Sequence, residues 1–594
     1  MNKGYPQSWD LDVLYEGGSS SAAFLQELKG IEEDIAKLDA ALSTDEGTAV
    51  SDIAAMTELL QSVLIRLRQS ESFVSCLLAQ NIRDSSASAR NDNVKTLAAK
   101  FLGVLTRFDN RLRGFDDNEW SAMLANELLA EVAFNLNERR ELAKKKMAPE
   151  LEALVEDLAV DGYHGWGDYY NVIVSRAKFT DIGKDGEKHI LSAGQMHNRL
   201  SDGDREVRQA AFAEWEREWS EQADLCAETL NRISGFRLKL YEKRGWESVL
   251  QDPLQMNRMS EATLQAMWDA IQEGKQVLVT YLQRKAKLLG IDKLDWHDVE
   301  APIGSATKTI PYDEAAAFIV EQFRTFSPEL ADFSELAFRE GWIEAEDRPG
   351  KRPGGFCTSF PKSGQTRIFM TFSGTASNVS TLAHELGHAY HQHVMNDLPA
   401  LSQEYAMNVA ETASTFAELI VSDRAFQAAV EHEEKLGLLE DKIQRSVAFF
   451  MNIHARFLFE TRFYARRKEG LVSVEELNTL MEEAQREAYC DLLDEVHPHF
   501  WASKLHFYFT DVPFYNFPYT FGYLFSAGIY AKALKEGPEF KNQYVALLRD
   551  TGRMSVEQLA QEHLGVNVEK IDFWRDAVAL TAVDVEQFIA MTNE

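Results

Sequence analysis

The chain has 594 residues, of which 45% are hydrophobic and 26% charged, and its formal net charge is −32. This composition is typical of a globular protein, and a chain of this length is expected to form two or more domains. The acidic charge and the lack of a dense Lys/Arg run argue against nucleic-acid binding, and no run of 18 apolar residues predicts a membrane span.

The cysteines and the first residues indicate a compartment. The four cysteines have no C-x-x-C spacing and are typical of reduced thiols in a cytosolic protein: Cys76, Cys226, Cys357 and Cys490. Residues 1–6 contain no apolar segment of the kind found in secretory signals. We therefore expect a cytoplasmic protein with neither export nor membrane insertion.

The first 250 residues predict long helices. Only Pro6 and Pro149 precede residue 253, so little interrupts a helix there. Apolar residues recur at helical spacing in three stripes: Phe24, Leu25, Leu28, Ile31, Ile35 and Leu38; Met56, Leu59, Leu60, Val63, Leu64 and Leu67; Leu97, Phe101, Val104, Leu105 and Phe108. The turn-forming residues 183–186 predict a short hairpin or an interhelical loop. We place a domain boundary near there, between an N-terminal helical lobe (1–190) and a second domain (191–594).

Further helices and one strand pair follow. Helical patterns cover residues 204–245, 264–290, 312–326 and 331–339. Residues 347–355 are rich in Gly and Pro and end any helix. The β-branched and aromatic runs 356–360 and 367–372 predict a small antiparallel pair. Its free edge could hold a peptide as an added strand, or the pair could only support the helix that follows.

That helix carries the sequence His384-Glu385-Leu386-Gly387-His388. His384 and His388 lie one turn apart on the same helix face, where two imidazoles can bind one zinc ion. Glu385 follows the first histidine directly, where a carboxylate can act as general base. Gly387 is unfavourable inside a helix and indicates close approach of another backbone or of substrate. Ser377 or Asn378 is the predicted N-cap.

A catalytic zinc needs a third ligand. The metzincin arrangement is excluded because His391 and Val394 stand where it requires Gly and His. Glu411, on the helix predicted from Gln403 onward, is the favoured ligand, with Glu404 and Glu418 as alternatives. His391 could face the site without binding the metal.

Five segments together resemble the oligoendopeptidase F family, within the thimet oligopeptidase-like zinc endopeptidases. They are residues 9–15 (Trp-Asp-Leu-Asp-Val-Leu-Tyr), 354–357 (Gly-Gly-Phe-Cys), 384–391 (His-Glu-Leu-Gly-His-Ala-Tyr-His), 409–411 (Val-Ala-Glu) and the aromatic stretch 506–523. The resemblance implies a mostly α, two-lobed body with a deep channel that admits short unfolded peptides. It also implies one Zn²⁺ per chain, bound by His384, His388 and Glu411, with Glu385 as base.

The aromatic stretch is the last candidate region. Because relatives use this region to supply hydrogen-bond donors to the developing oxyanion, we assign that role to His506, Tyr515 and Tyr519, with Tyr523 as a further candidate. The resulting prediction is a zinc endopeptidase that hydrolyses internal bonds of short peptides.

Two other functions fit parts of the sequence. A zinc aminopeptidase would share the helix motif but commonly has a Gly-x-Met-Glu-Asn stretch before it, and none is present. A peptide-binding protein without catalysis would not need Glu385.

Overall fold

We describe the protein from a computed structural model, whose described residues are 4–43, 49–183, 186–303, 309–352 and 354–593. The α-helices, in chain order, are α1 Ala22–Leu42, α2 Val50–Gln80, α3 Ser85–Arg113, α4 Asp117–Met123, α5 Glu127–Ala130, α6 Ala133–Lys144, α7 Pro149–Ala159, α8 Gly165–Arg176, α9 Ala193–Arg199, α10 Arg205–Arg244, α11 Gln251–Met256, α12 Glu261–Leu288, α13 Tyr312–Phe326, α14 Pro328–Arg339, α15 Ala376–Met395, α16 Met407–Ala428, α17 His432–Val447, α18 Ile453–Arg467, α19 Val474–Ala488, α20 Phe500–Ser503, α21 Phe517–Glu536, α22 Phe540–Asp550, α23 Val556–Leu559 and α24 Ile571–Thr592. The strands are β1 Phe179–Ile182, β2 Lys188–Leu191, β3 Ile343–Glu344, β4 Phe356–Phe360 and β5 Gln365–Phe369.

The predicted mostly α fold is confirmed, and so is its small antiparallel element. Strands β4 and β5 pair antiparallel, and β3 adds in parallel to the other side of β5. Strands β1 and β2 pair antiparallel where a hairpin or a loop is predicted, and residues 184 and 185 of the predicted turn lie outside the described residues. Within the described residues no helix combines the length and apolarity needed to cross a bilayer. The two-lobed body and deep channel stay predictions.

The chain forms two compact units, each built from three segments. The first unit comprises Met1–Lys146, Lys308–Arg424 and Lys532–Val566, and the second comprises Met147–Thr307, Ala425–Ala531 and Asn567–Glu594. These units alternate along the sequence, whereas the predicted domains 1–190 and 191–594 are each continuous. The division at residue 190 stays a prediction.

The first unit packs α1, α2 and α3 around one apolar core that extends to the sheet. The predicted stripes supply part of this core, including Phe24 and Phe108, although Leu25 is exposed. Phe73 of α2 and Phe360 and Phe369 of the sheet also belong to the core. Ser21 caps α1 and Asp84 caps α3 by accepting main-chain N–H groups of the first turn. The sheet lies between α2, which contacts β4, and α15, which contacts both β4 and β5.

Residues 9–15 brace this sheet. The Trp9 N–H donates to Glu344 Oε2 at 3.2 Å, and the Trp9 ring packs 5.9 Å from that of Phe369. Glu344 itself is fully buried and accepts from Arg348. The segment therefore fixes β3 and β5, on which α15 rests.

The second unit is a helical assembly around α10. Its 40 residues contact α8, α9, α18 and α19, and α12 pairs with α24. Buried Arg237 on α10 donates to the Tyr464 hydroxyl at 2.6 Å and to the carbonyl of Phe509 at 3.0 Å. A helix of the core thereby holds the aromatic stretch that precedes α21.

Candidate active site

The histidine motif lies on α15, as predicted. The helix begins after Thr375, whose side chain accepts from the Asn378 N–H, and ends at Met395 before Asn396. The predicted caps, Ser377 and Asn378, are therefore wrong. The Asn378 side chain instead accepts from the N–H and hydroxyl of Ser373, which ties the preceding loop to the first turn.

Gly387 lets α16 come close to α15. A methyl group at this position would lie 2.5 Å from the Ala413 carbonyl oxygen and 2.6 Å from Ser414 Cα. The predicted close approach of another backbone is thus observed. It brings Glu411, on the first turns of α16, to the histidines.

His384, His388 and Glu411 converge. One potential ligand atom of each lies within 4.8 Å of the others. Glu411 Oε2 is 3.3 Å from His384 Nε2 and 3.6 Å from His388 Nε2, and the imidazole rings are nearly perpendicular. Two neutral nitrogens and one carboxylate oxygen could hold a metal ion here.

The surroundings favour a neutral His388 and an ionised Glu411. Burial lowers the pKa of His388 to about 4. Burial alone would raise the pKa of Glu411, but its interactions with His384, His388 and the Ser414 hydroxyl together lower it. These are the protonation states that bind a metal.

Glu418, one of the alternative ligands, contacts the other nitrogen of His384. Its Oε2 is 3.3 Å from His384 Nδ1, and its Oε1 accepts from the Ser380 hydroxyl at 3.0 Å. A carboxylate in this position fixes the tautomer and orientation of a metal-binding imidazole. The sequence placed Glu418 on the right face of α16 but did not reveal this role, because the role depends on which ring nitrogen it reaches.

Glu404, the other alternative, is directed elsewhere. It precedes α16, which begins at Met407 and not at Gln403 as predicted, and it forms an ion pair with Arg68 at 2.8 Å. It is not part of the cluster formed by His384, His388 and Glu411.

Glu385 is buried beside the cluster, with 8% of its surface exposed. Its Oε2 has no hydrogen-bond partner among the described residues. Burial raises the pKa of its carboxyl to about 7, with His384 opposing and Glu411 adding to the rise. A methyl group at Gly355 would lie 3.8 Å from Glu385 Oε1, so the start of β4 runs past this carboxylate.

The sequence allowed His391 to face the site, but its side chain makes its contacts elsewhere. It is fully buried, its Nε2 is 2.8 Å from the Thr551 hydroxyl, and its ring stacks on Tyr405 at 4.3 Å.

Burial raises the pKa of the Cys357 thiol well above its usual value, in line with a packing role.

His506, Tyr515 and Tyr519 form one aromatic cluster in the second unit. The His506 ring lies 5.3 Å from that of Tyr515 and 6.3 Å from that of Tyr519, and the tyrosine rings are 5.6 Å apart. Burial and the charges of Arg456 and Lys504 lower the pKa of His506 to about 3. Their catalytic role stays a prediction.

Tyr523, the further candidate, is placed differently. Its hydroxyl lies 2.9 Å from the Ser446 hydroxyl, and its ring stacks on Phe449 at 4.6 Å. These contacts are those of a packing residue on α21.

Two family models match the chain. The model of Peptidase family M3 matches residues 199–565, and that of Oligopeptidase F matches residues 112–179. The first covers more than half of the chain and includes α15 and α16.

Named relatives and solved structures agree with this match. An oligoendopeptidase F homolog of Lactococcus lactis subsp. lactis is 22% identical over 582 residues, 95% of this chain and 94% of that protein. The chromosomal oligoendopeptidase F of Lactococcus lactis subsp. cremoris is 26% identical over 408 residues, 66% of this chain and 65% of that protein.

Among solved structures, one from Chlamydophila abortus has a TM-score of 0.85 at 18% identity and covers 99% of this chain and 100% of that one. The oligoendopeptidase-F of Enterococcus faecium has a TM-score of 0.73 at 17% identity, covering 96% of this chain and 99% of that one. These likenesses show the fold. The family-model matches and the named relatives show that the chain belongs to peptidase family M3, and within it to the oligoendopeptidase F family. The chain is therefore an oligopeptidase.

Proposed function

We propose that the protein is a zinc-dependent endopeptidase that cleaves internal bonds of short, unfolded peptides. The observation that carries the proposal is the convergence of His384, His388 and Glu411 with a buried Glu385 beside them. Two histidines and a glutamate are a common ligand set of hydrolytic zinc sites that keep one position open.

The spacing of the three ligand atoms fits this metal. Tetrahedral bonds of 2.0–2.1 Å place ligand atoms roughly 3.3 Å apart. The observed distances from Glu411 Oε2 to the two imidazole nitrogens are 3.3 and 3.6 Å. Glu418 on His384 Nδ1 supplies the orienting carboxylate that such sites commonly have.

The chain's own groups divide the work of hydrolysis. When bound, zinc would act as a Lewis acid that polarises the scissile carbonyl and makes water more acidic. Glu385, whose buried Oε2 has no hydrogen-bond partner in the described part of the chain, takes the proton of the attacking water and returns it to the leaving amine. His506, Tyr515 and Tyr519 keep their predicted role as donors to the developing negative charge.

The β4 edge offers a place for the peptide backbone. Ile368 of β5 donates its N–H to Trp342 on the β3 side, so the opposite pair of Cys357 and Ile368 is not hydrogen-bonded. The N–H and C=O of Cys357 therefore point away from β5. Farther along β4, the Ser72 hydroxyl donates to the Ser359 carbonyl at 2.7 Å, so this carbonyl already has a partner and is less available to a peptide. A substrate strand would pair near Cys357, next to Gly355 and Glu385.

A capped peptide tests the function. We expect zinc-dependent cleavage within a quenched fluorescent peptide whose ends are acetylated and amidated, because an endopeptidase does not need a free terminus. An aminopeptidase would not cleave this peptide, since it requires a free amine. We expect Glu385→Gln to keep the zinc ion held by His384, His388 and Glu411 and to lower kcat about 10²- to 10⁴-fold, the usual contribution of a general base.

Glu404→Gln is the matched control, since this nearby carboxylate pairs with Arg68 outside the cluster, and it should keep both zinc and activity. Full cleavage by Glu385→Gln, or cleavage that resists removal of all metal by a chelator, would contradict the proposal.

The cytoplasmic location stays a prediction.

A further inference from the structure

A second group of metal-binding side chains lies in the second unit, on two adjacent loops. Asp295 and His297 follow α12, and Glu495 follows α19. One potential ligand atom of each lies within 4.8 Å of the others. The loops run side by side, with the Trp296 N–H donating to the Glu495 carbonyl at 2.8 Å and the Asp494 N–H to the Leu294 carbonyl at 2.9 Å. The backbone therefore fixes the spacing of the three side chains.

His297 is the buried member of this group, and its ring nitrogens lack hydrogen-bond partners among the described residues. Only 3% of its surface is exposed. The neighbouring Asp298 carboxylate is 3.6 Å from Nε2 and already accepts from Arg205 and Arg208. Because burying an unpaired polar group costs free energy, a ligand of His297 would supply what the protein does not.

The charges around the group favour a cation. Arg205 donates to Asp295 at 2.7 Å, but it also donates to both oxygens of Asp298. Arg208 also donates to Asp298, so the two guanidiniums offset the charges of Asp295 and Asp298, and the Glu495 carboxylate leaves the group with net negative charge.

We propose that Asp295, His297 and Glu495 form a second divalent-cation site, separate from the cluster on α15 and α16. An imidazole with two carboxylates suits Zn²⁺ or Mn²⁺ better than Mg²⁺ or Ca²⁺, which prefer all-oxygen ligands. The ion would join the loop after α12 to the loop after α19. Its role would be structural, because it would reinforce the backbone hydrogen bonds that already pair these two loops.

Metal content tests the site independently of peptidase activity. The variant His384→Ala/His388→Ala removes the α15 ligands, so any remaining bound ion reports on the second site. After dialysis against micromolar Zn²⁺ and then metal-free buffer, we expect two zinc ions per chain in the unmodified protein and one in this variant. We expect Glu495→Gln, a substitution at an exposed position, to reduce the content of each by one.

Thermal unfolding gives a second readout. In His384→Ala/His388→Ala, added Zn²⁺ or Mn²⁺ should raise Tm, since a ligand that binds only the folded state stabilises it. Adding Glu495→Gln should abolish the rise. Adding Glu483→Gln, the same change on exposed α19 surface, should leave it. Mg²⁺ and Ca²⁺ should have little effect.

The outcomes separate this inference from the proposed function. A variant lacking His384 and His388 that binds no metal, or one whose Tm rises equally with and without Glu495, would overturn the second site. One zinc per chain in both the unmodified protein and the double histidine variant would support the second site and contradict the catalytic one.

Discussion

Glu411 and Glu418 lie two turns apart on α16 and contact different nitrogens of one imidazole. Glu411 Oε2 is 3.3 Å from His384 Nε2, and Glu418 Oε2 is 3.3 Å from His384 Nδ1. The first nitrogen shares the cluster with His388, whereas the second faces away from it. The two carboxylates are therefore expected to differ in their effect on metal affinity.

Glu418→Gln should weaken zinc binding about 10- to 100-fold, the usual effect of removing a partner that orients a metal-binding histidine. Glu411→Gln should weaken it far more, because it removes a ligand. Competition with a chromogenic chelator measures both affinities.

Ser380→Ala is the control for Glu418→Gln, because it removes only the hydroxyl that donates to Glu418. It should have a smaller effect than either glutamate substitution. If Glu418→Gln abolished zinc binding and Glu411→Gln did not, Glu418 and not Glu411 would be the third ligand.

At the scale of elements, the site depends on how closely α15 and α16 approach. Their contact is made at Gly387, against the backbone of Ala413 and Ser414. Glu411 lies on the same stretch of α16, so the spacing of the helices also sets the distance from carboxylate to imidazole. Helix packing therefore also sets the geometry of the proposed metal site.

Gly387→Ala should destabilise the protein by about 1–3 kcal/mol, because its methyl group would overlap backbone that must shift. The same shift should lower zinc affinity. Urea unfolding and zinc titration measure the two effects.

Gly103→Ala is the matched control on α3, where a methyl group would meet nothing within 4 Å. Alanine is the better helix former, so this change should stabilise the protein by up to about 1 kcal/mol and leave zinc binding alone. Similar behaviour of the two variants would show that the helices do not need the glycine.

At the scale of the whole molecule, buried ionisable groups make stability depend on pH. Glu460 in the second unit is 4% exposed, and its Oε1 accepts from the Phe514 N–H at 3.2 Å. Burial raises the pKa of its carboxyl to about 8, although Arg237 opposes the rise. The folded protein then holds a proton that the unfolded chain releases above about pH 4.5.

The stability that depends on this proton is present below pH 4.5 and is lost as pH rises through about 8. Between pH 5.5 and 8 the loss from this group is about 3 kcal/mol. Glu460→Gln keeps the shape without a charge and should flatten that part of the pH profile. Urea unfolding of both proteins across this range measures the difference, and parallel profiles would contradict it.

The sequence alone determined the features that follow from local periodicity. Apolar stripes such as the one from Phe24 to Leu38 specify helices because residues three and four apart share a face. The spacing of His384 and His388 places both histidines on one helix face for the same reason. The strands around residue 360 were also recognisable from their β-branched and aromatic residues.

Only the tertiary structure decided how distant residues meet. It placed the Glu411 carboxylate beside His384 Nε2 and His388 Nε2, the Glu418 carboxylate beside His384 Nδ1, and Glu404 beside Arg68. The interval along the chain could not give this arrangement, because the distance from each carboxylate to an imidazole depends on the packing of α15 against α16. It also showed that Thr375 caps α15 and that His391 is buried against Tyr405. The pairing of Asp295 and His297 with Glu495, about 200 residues later, arises only where two loops meet in the fold.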